Sequence, residues 1–112
     1  MPAYAIAHLR TPTVNDDVLD YLERIQDTLE PYGGRFLVHG GDVNVLEDEW
    51  PGTIVIIEFP DWESAHAWYS SPAYQEILPL RTRHIDAAAI IAPGVAAGYH
   101  PRAAAARLRQ VR

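Results

Sequence analysis

The sequence contains no cysteine and no lysine, and no apolar run long enough to span a bilayer. Without cysteine there can be no disulfide framework, no thiolate metal site and no cysteine nucleophile. The N-terminus shows no basic region followed by an apolar core, so a soluble, cytoplasmic protein with no membrane partner is expected. Phosphate-binding G-x-G-x-x-G and P-loop spacings are missing, as are H-E-x-x-H and G-x-S-x-G. Nothing in the spacing of the five histidines requires zinc, so neither a metal nor an organic cofactor is expected.

Positive charge is also scarce, except at one end. Residues 99–112 carry four arginines and no acid, whereas the preceding 98 residues hold five arginines against fifteen acids, a net of −10. An acidic body of this kind excludes a nucleic-acid surface, which needs a basic face to neutralise phosphate. With 48% apolar and 21% charged residues in 112, the chain can bury a modest core as one folded unit. The expected organisation is a domain over residues 1–97 and a basic, Ala/Arg-rich extension over residues 98–112.

Local patterns give the elements in order. Ala3 to Leu9 alternates loosely and reads as a first strand, broken at Thr11-Pro12-Thr13. Thr13 with Asp16 resembles a capping box, and Val14, Val18, Tyr21, Leu22, Ile25 and Leu29 recur at helical spacing up to Pro31. Gly33-Gly34 stops that helix, and Arg35 to His39 reads as a strand ending at Gly40-Gly41. Val43, Val45 and Leu46 are expected to continue extended structure into the turn at Asp48–Gly52. The β-branched run Thr53 to Phe59 suits a central strand. Asp61 caps a second helix, Ser71-Pro72 restarts it, and Pro79 bends or closes it. Ile85 to Ala92 completes the order β-α-β-β-α-β. Two strand-helix-strand halves give an α+β fold: a four-stranded antiparallel sheet with both helices on one face. The other face would be apolar and uncovered, so a homodimer is expected.

The longest motifs carry a family resemblance. Y-G-G-R-F-L-V-H-G-G from Tyr32, L-E-D-E-W from Leu46, E-F-P from Glu58 and A-H-A-W-Y-S-S-P-A-Y-Q-E-I-L-P-L-R from Ala65 resemble the domain of unknown function 1330 family. The resemblance runs from Tyr4 to about Gly94 and leaves the tail unexplained. It implies a ferredoxin-like, dimeric α/β-barrel fold and a homodimer, and it implies no settled activity.

In that topology the first two strands run parallel, with the third between them and the fourth beside the first. One pole of the sheet then collects His8, His39, Trp50 and Asp86, joined by Tyr74 and Arg81 from the second helix; His84 lies there too. Histidine titrates near neutrality and a carboxylate can orient it, so His8, His39, Arg81 and Asp86 are candidate catalytic groups. Trp50, Trp68, Tyr69 and Tyr74 are candidate binding surfaces for a small hydrophobic ligand. The competing reading makes the histidines solvated strand ends and the aromatics core or dimer packing. His66, beside Glu63, and His100 are expected to be solvated, and Arg35 with Glu58 to form a cross-strand ion pair of small value. Two functions fit: a cofactor-independent enzyme, isomerase- or monooxygenase-like, on a small oxygenated hydrophobic metabolite, or a non-catalytic ligand-binding or stress-associated dimer.

Overall fold

In the computed structural model, which describes residues 1–112, the elements follow in the order β1 (Ala3–Leu9), α1 (Asp16–Leu29), β2 (Arg35–His39), β3 (Thr53–Phe59), α2 (Trp62–Ser70), α3 (Pro72–Thr82), β4 (Ala87–Pro93) and α4 (Pro101–Gln110). The four strands form one antiparallel sheet in the order β2-β3-β1-β4. This is the ferredoxin-like α+β arrangement. The run Ile54–Ile57 lies in β3, flanked on both sides, where β-branched residues pack well.

Strand alternation divides the sheet into two faces. Ala3, Ala5, Ala7 and Leu9 pair with Phe59, Ile57, Val55 and Thr53 on β3, and with Pro93, Ile91, Ala89 and Ala87 on β4. This inner face meets the helices: Ala3, Ile57 and Phe59 cluster with Tyr21, Ile25 and Leu29 of α1, Ala65 and Trp68 of α2, and Tyr74 and Ile77 of α3. The outer face carries Tyr4, Ile6 and His8 beside Ile54, Ile56 and Glu58, with Ala88, Ile90 and Ala92 on β4. No helix covers it, and Ile90 is 59% exposed. Arg35 and Glu58 form the expected cross-strand pair on this face, with Nη2 to Oε1 at 2.8 Å.

Most boundaries follow from local chemistry. Asp61 accepts from the Ser64 amide at 2.7 Å to cap α2, and the Ser71 hydroxyl accepts from the Tyr74 amide to cap α3, with Pro72 at its first position. Gly33 takes φ +71°, ending the turn Glu30–Tyr32 that follows α1. Gly34 is needed for a different reason. A Cβ there would lie 2.7 Å from the Phe59 ring and 2.9 Å from Leu29.

Four expectations are corrected. The cap of α1 is Asn15, whose Oδ1 accepts from the Val18 amide at 2.9 Å, while the Thr13 hydroxyl donates to the Thr11 carbonyl. Val43–Leu46 form no strand, because Gly40 and Gly41 both adopt positive φ and turn the chain out of the sheet. Pro79 does not close its helix: α3 runs on to Thr82 and ends with the Arg83 amide donating to the Pro79 carbonyl. The last strand begins at Ala87, since the Ile85 amide still bonds back to Arg81 and the Asp86 amide donates to the Thr11 hydroxyl.

The tail forms a helix, α4, with His100 capping it through Nδ1 and Pro101 at its first position. None of its arginines makes an ion pair, and all of its residues but Ala104 are exposed. No helix is long and apolar enough to cross a membrane.

Candidate functional site

A cavity of about 600 Å³ lies between the helices and the inner face of the sheet. Its origin is legible in the strands. Where a core would place leucine or isoleucine, the inner face offers Ala5 and Ala7 on β1 and Ala89 on β4, and all three line the hollow. Small side chains under bulky helices leave volume that the helices cannot fill. Val18, Tyr21, Leu22 and Ile25 of α1 form the opposite wall. Exposed Val14, Leu22 and Tyr69 are also lining residues, so the cavity opens to solvent there.

The structure brings five of the eight sequence candidates into this lining: His39, Trp68, Tyr69, Tyr74 and Arg81. Arg81 is 8% exposed, and its guanidinium carbon stands 5.7 Å from the centre of the Tyr21 ring. Burial works against its charge, but the phenols of Tyr21 and Tyr74 outweigh that, so the guanidinium stays protonated at any ordinary pH. The Tyr21 and Tyr74 hydroxyls meet at 2.8 Å. Burial, reinforced by that neighbour, holds the Tyr21 phenol well above the usual range, so it remains neutral. Trp68 packs against Tyr74 with centroids 4.1 Å apart, and its indole N–H donates to the Thr28 hydroxyl at 3.0 Å.

His39 reaches the cavity through an irregularity in β2. Arg35 pairs with Glu58 on the outer face and Phe36 with Ile57 on the inner one. The register then shifts between Phe36 and Val38, so Val38 pairs with Ile56 and His39 with Val55. An extra residue inverts the alternation beyond it. His39 is thereby turned inward and stacks on Phe36 at 4.3 Å. Although one side stays in solvent, loss of water lowers its pKa below the usual histidine value, so the ring is neutral at pH 7.

The other three candidates lie elsewhere. His8 is on the outer face, stacked on Trp50 at 3.9 Å, with its Nε2–H donating to the Pro51 carbonyl at 2.6 Å. The sheet separates this pair from the cavity. Asp86 is bound through both oxygens by Arg10, at 3.0 and 2.8 Å, which holds its carboxyl below the usual range. His84 is paired with Asp17 at 2.9 Å.

Two further polar rings in the lining, Tyr21 and His66, were not among the sequence candidates. Tyr21 reads as one more apolar member of the α1 stripe; the available signal was that a buried phenol must find a partner. His66 is solvent-exposed, as expected, and it also lines the cavity. Its Nδ1–H donates to the Trp62 carbonyl at 3.0 Å, which leaves Nε2 as an acceptor in the neutral ring. Its position three residues before Tyr69, on one helical face, was the available clue. No group of three or more histidine or carboxylate side chains converges as a metal site.

Known proteins agree with this architecture. The family model described as Domain of unknown function (DUF1330) matches residues 2–95. No curated protein matches the chain. Among solved structures, a protein of unknown function from Rhodopseudomonas palustris, RPA0582, is 16% identical with a TM-score of 0.60, covering 85% of this chain and 83% of that one. A dimeric ferredoxin-like protein of unknown function from Jannaschia sp. CCS1 is 10% identical, with a TM-score of 0.65 and coverage of 84% and 100%. SnoaB, a cofactor-independent oxygenase from Streptomyces nogalater, is 11% identical, with a TM-score of 0.54 and coverage of 89% and 97%. At these identities the likeness is one of fold.

Proposed function

The chain belongs to the DUF1330 family, and from that premise we propose that it is a homodimeric, cofactor-independent enzyme acting on a small, hydrophobic, oxygenated metabolite held in the cavity. The observation that carries this reading is the joint presence of a neutral histidine, His39, and a buried cation, Arg81, in one mostly apolar hollow. A neutral imidazole can take a proton from carbon next to a carbonyl, and a fixed cation can stabilise the enolate oxygen that results. The electron pair of the broken C–H bond moves to that oxygen. Reprotonation at another carbon is isomerase-like; addition of dioxygen to the carbanion, followed by loss of water from the resulting hydroperoxide to leave a carbonyl, is monooxygenase-like. Trp68, Tyr69 and Tyr74 would hold the ring. SnoaB, by its description, does oxygenase chemistry without a cofactor on a similar fold, which supports the class by analogy only. His8, Trp50 and Asp86 then fall outside the reaction, with His8 and Trp50 on the face proposed to meet the second subunit.

Proton exchange tests this directly. With 2-tetralone in D₂O, the wild-type protein should accelerate α-hydrogen exchange, followed by proton NMR, and His39→Gln should abolish the acceleration. A cavity that binds the ketone without exchanging its protons would favour the second reading, a non-catalytic ligand-binding dimer.

A further inference from the structure

Arg81 is a buried cation with no carboxylate of its own. It makes no ion pair, and none of the 25 residues lining the cavity is aspartate or glutamate. The acids at the adjoining pole are committed elsewhere. Asp86, which shares an outer cleft with Arg81, is held bidentately by Arg10, and Asp17 is held by His84. Burying a guanidinium without a counter-charge costs free energy that packing does not return, so its presence asks for an anion from elsewhere.

The neutral polar groups point the same way. Arg81 offers only donors. Between Tyr21 and Tyr74 a single hydroxyl proton bridges the two oxygens, which leaves the other hydroxyl proton free to donate. The Trp68 N–H is already spent on Thr28. Beside Arg81 the wall is therefore rich in donors and poor in strong acceptors, in a setting otherwise dominated by alanine, valine, isoleucine and aromatic carbon.

We propose that the cavity selects an apolar monoanion, a ring-bearing carboxylate or the conjugate base of an acidic enol or phenol, with its charged oxygen bound by Arg81 and the Tyr21–Tyr74 pair. This rests on the cavity being a ligand site, and it narrows the substrate class from any oxygenated metabolite to one already ionised when it binds. Neutral lactones and ketones become poor ligands by comparison. A charge-assisted hydrogen bond inside an apolar wall sets the expected margin at about tenfold or more in affinity.

The test uses two probes of one shape, 1-naphthoate and the uncharged 1-naphthamide, titrated at pH 7.5 by calorimetry and by quenching of tryptophan fluorescence. The naphthoate should bind at least about tenfold more tightly to the wild-type protein. That preference should vanish in Arg81→Gln and survive in part in Arg81→Lys. Because Arg81→Gln could fail to fold, Arg81→Met supplies a second variant, an uncharged side chain of similar length suited to burial, in which the preference should likewise vanish. Equal binding of both probes to the wild-type protein overturns the anion proposal and leaves the cavity a neutral-ligand site. A naphthoate preference undiminished in folded Arg81→Gln also overturns it. Binding of neither probe overturns the reading of the cavity as a ligand site as well.

Discussion

The hydroxyls of Tyr21 on α1 and Tyr74 on α3 form a buried hydrogen bond of 2.8 Å across the helix layer. Truncating one leaves the other hydroxyl without that partner. Tyr74→Phe should destabilise the protein by about 1 kcal/mol in urea denaturation. The double variant with Tyr21→Phe should recover part of that loss, since no orphaned hydroxyl then remains. Additive losses from the two substitutions would show that the pair carries no coupling.

His39 gives a pH dependence of definite sign. Its folded-state pKa lies below the unfolded value, so the native state resists protonation. Stability should be complete above the ordinary histidine value near 6.5, decline as pH falls from there through the lower folded value, and level off below it. The decline should be absent in His39→Gln. Thermal melts of both proteins between pH 5 and 8 check this.

Two glycines are held for distinct reasons. Gly33 has φ +71°, and alanine there should cost about 1 kcal/mol or more through left-handed backbone strain. Gly52 combines φ +86° with a close approach: a Cβ would lie 1.8 Å from the Leu9 carbonyl oxygen. Gly52→Ala should therefore be the more damaging of the two. Melting temperatures in the reverse order would contradict the assignment.

The outer sheet face predicts self-association. Ile56 sits on that face between Ile6 of β1 and Val38 of β2. Ile56→Asp should dissociate the homodimer, because a carboxylate would be buried between two apolar sheets. Light scattering at micromolar concentration should give a dimer mass for the wild-type protein and a monomer mass or aggregates for the variant. A wild-type monomer would refute the dimer.

Helix α4 is ten residues long and buries none of its residues in its own chain, which makes it marginal in water. Its arginines form no ion pair in their own subunit, whereas α1 presents Asp16, Glu23 and Asp27 without an ion-pair partner. We expect α4 to be held by the second subunit through these charges, so amides from Ala103 to Val111 should resist hydrogen exchange at low salt and lose that protection at high salt. Full exchange at the earliest time in both conditions would mark the helix as unsupported.

The sequence by itself determined most features whose cause is local, though not the cap of α1, which falls at Asn15. The β1, β2 and β3 boundaries, the caps at Asp61 and Ser71 and the stop at Gly33 stand where propensity, capping chemistry and positive φ require them. The family motifs fixed strand order, since four strands and two crossovers leave few chiral solutions. Only the tertiary structure decided which strand-end residues share a site. Strict alternation from Arg35 would have placed His39 on the outer face with His8. The register shift at Leu37, invisible to any periodicity, sends it inward to the cavity that Arg81 and the tyrosines also line. The cavity was equally hidden. Alanines on β1 and β4 read as ordinary strand residues until the helices above them are in place, because a void is a property of what two layers fail to fill together.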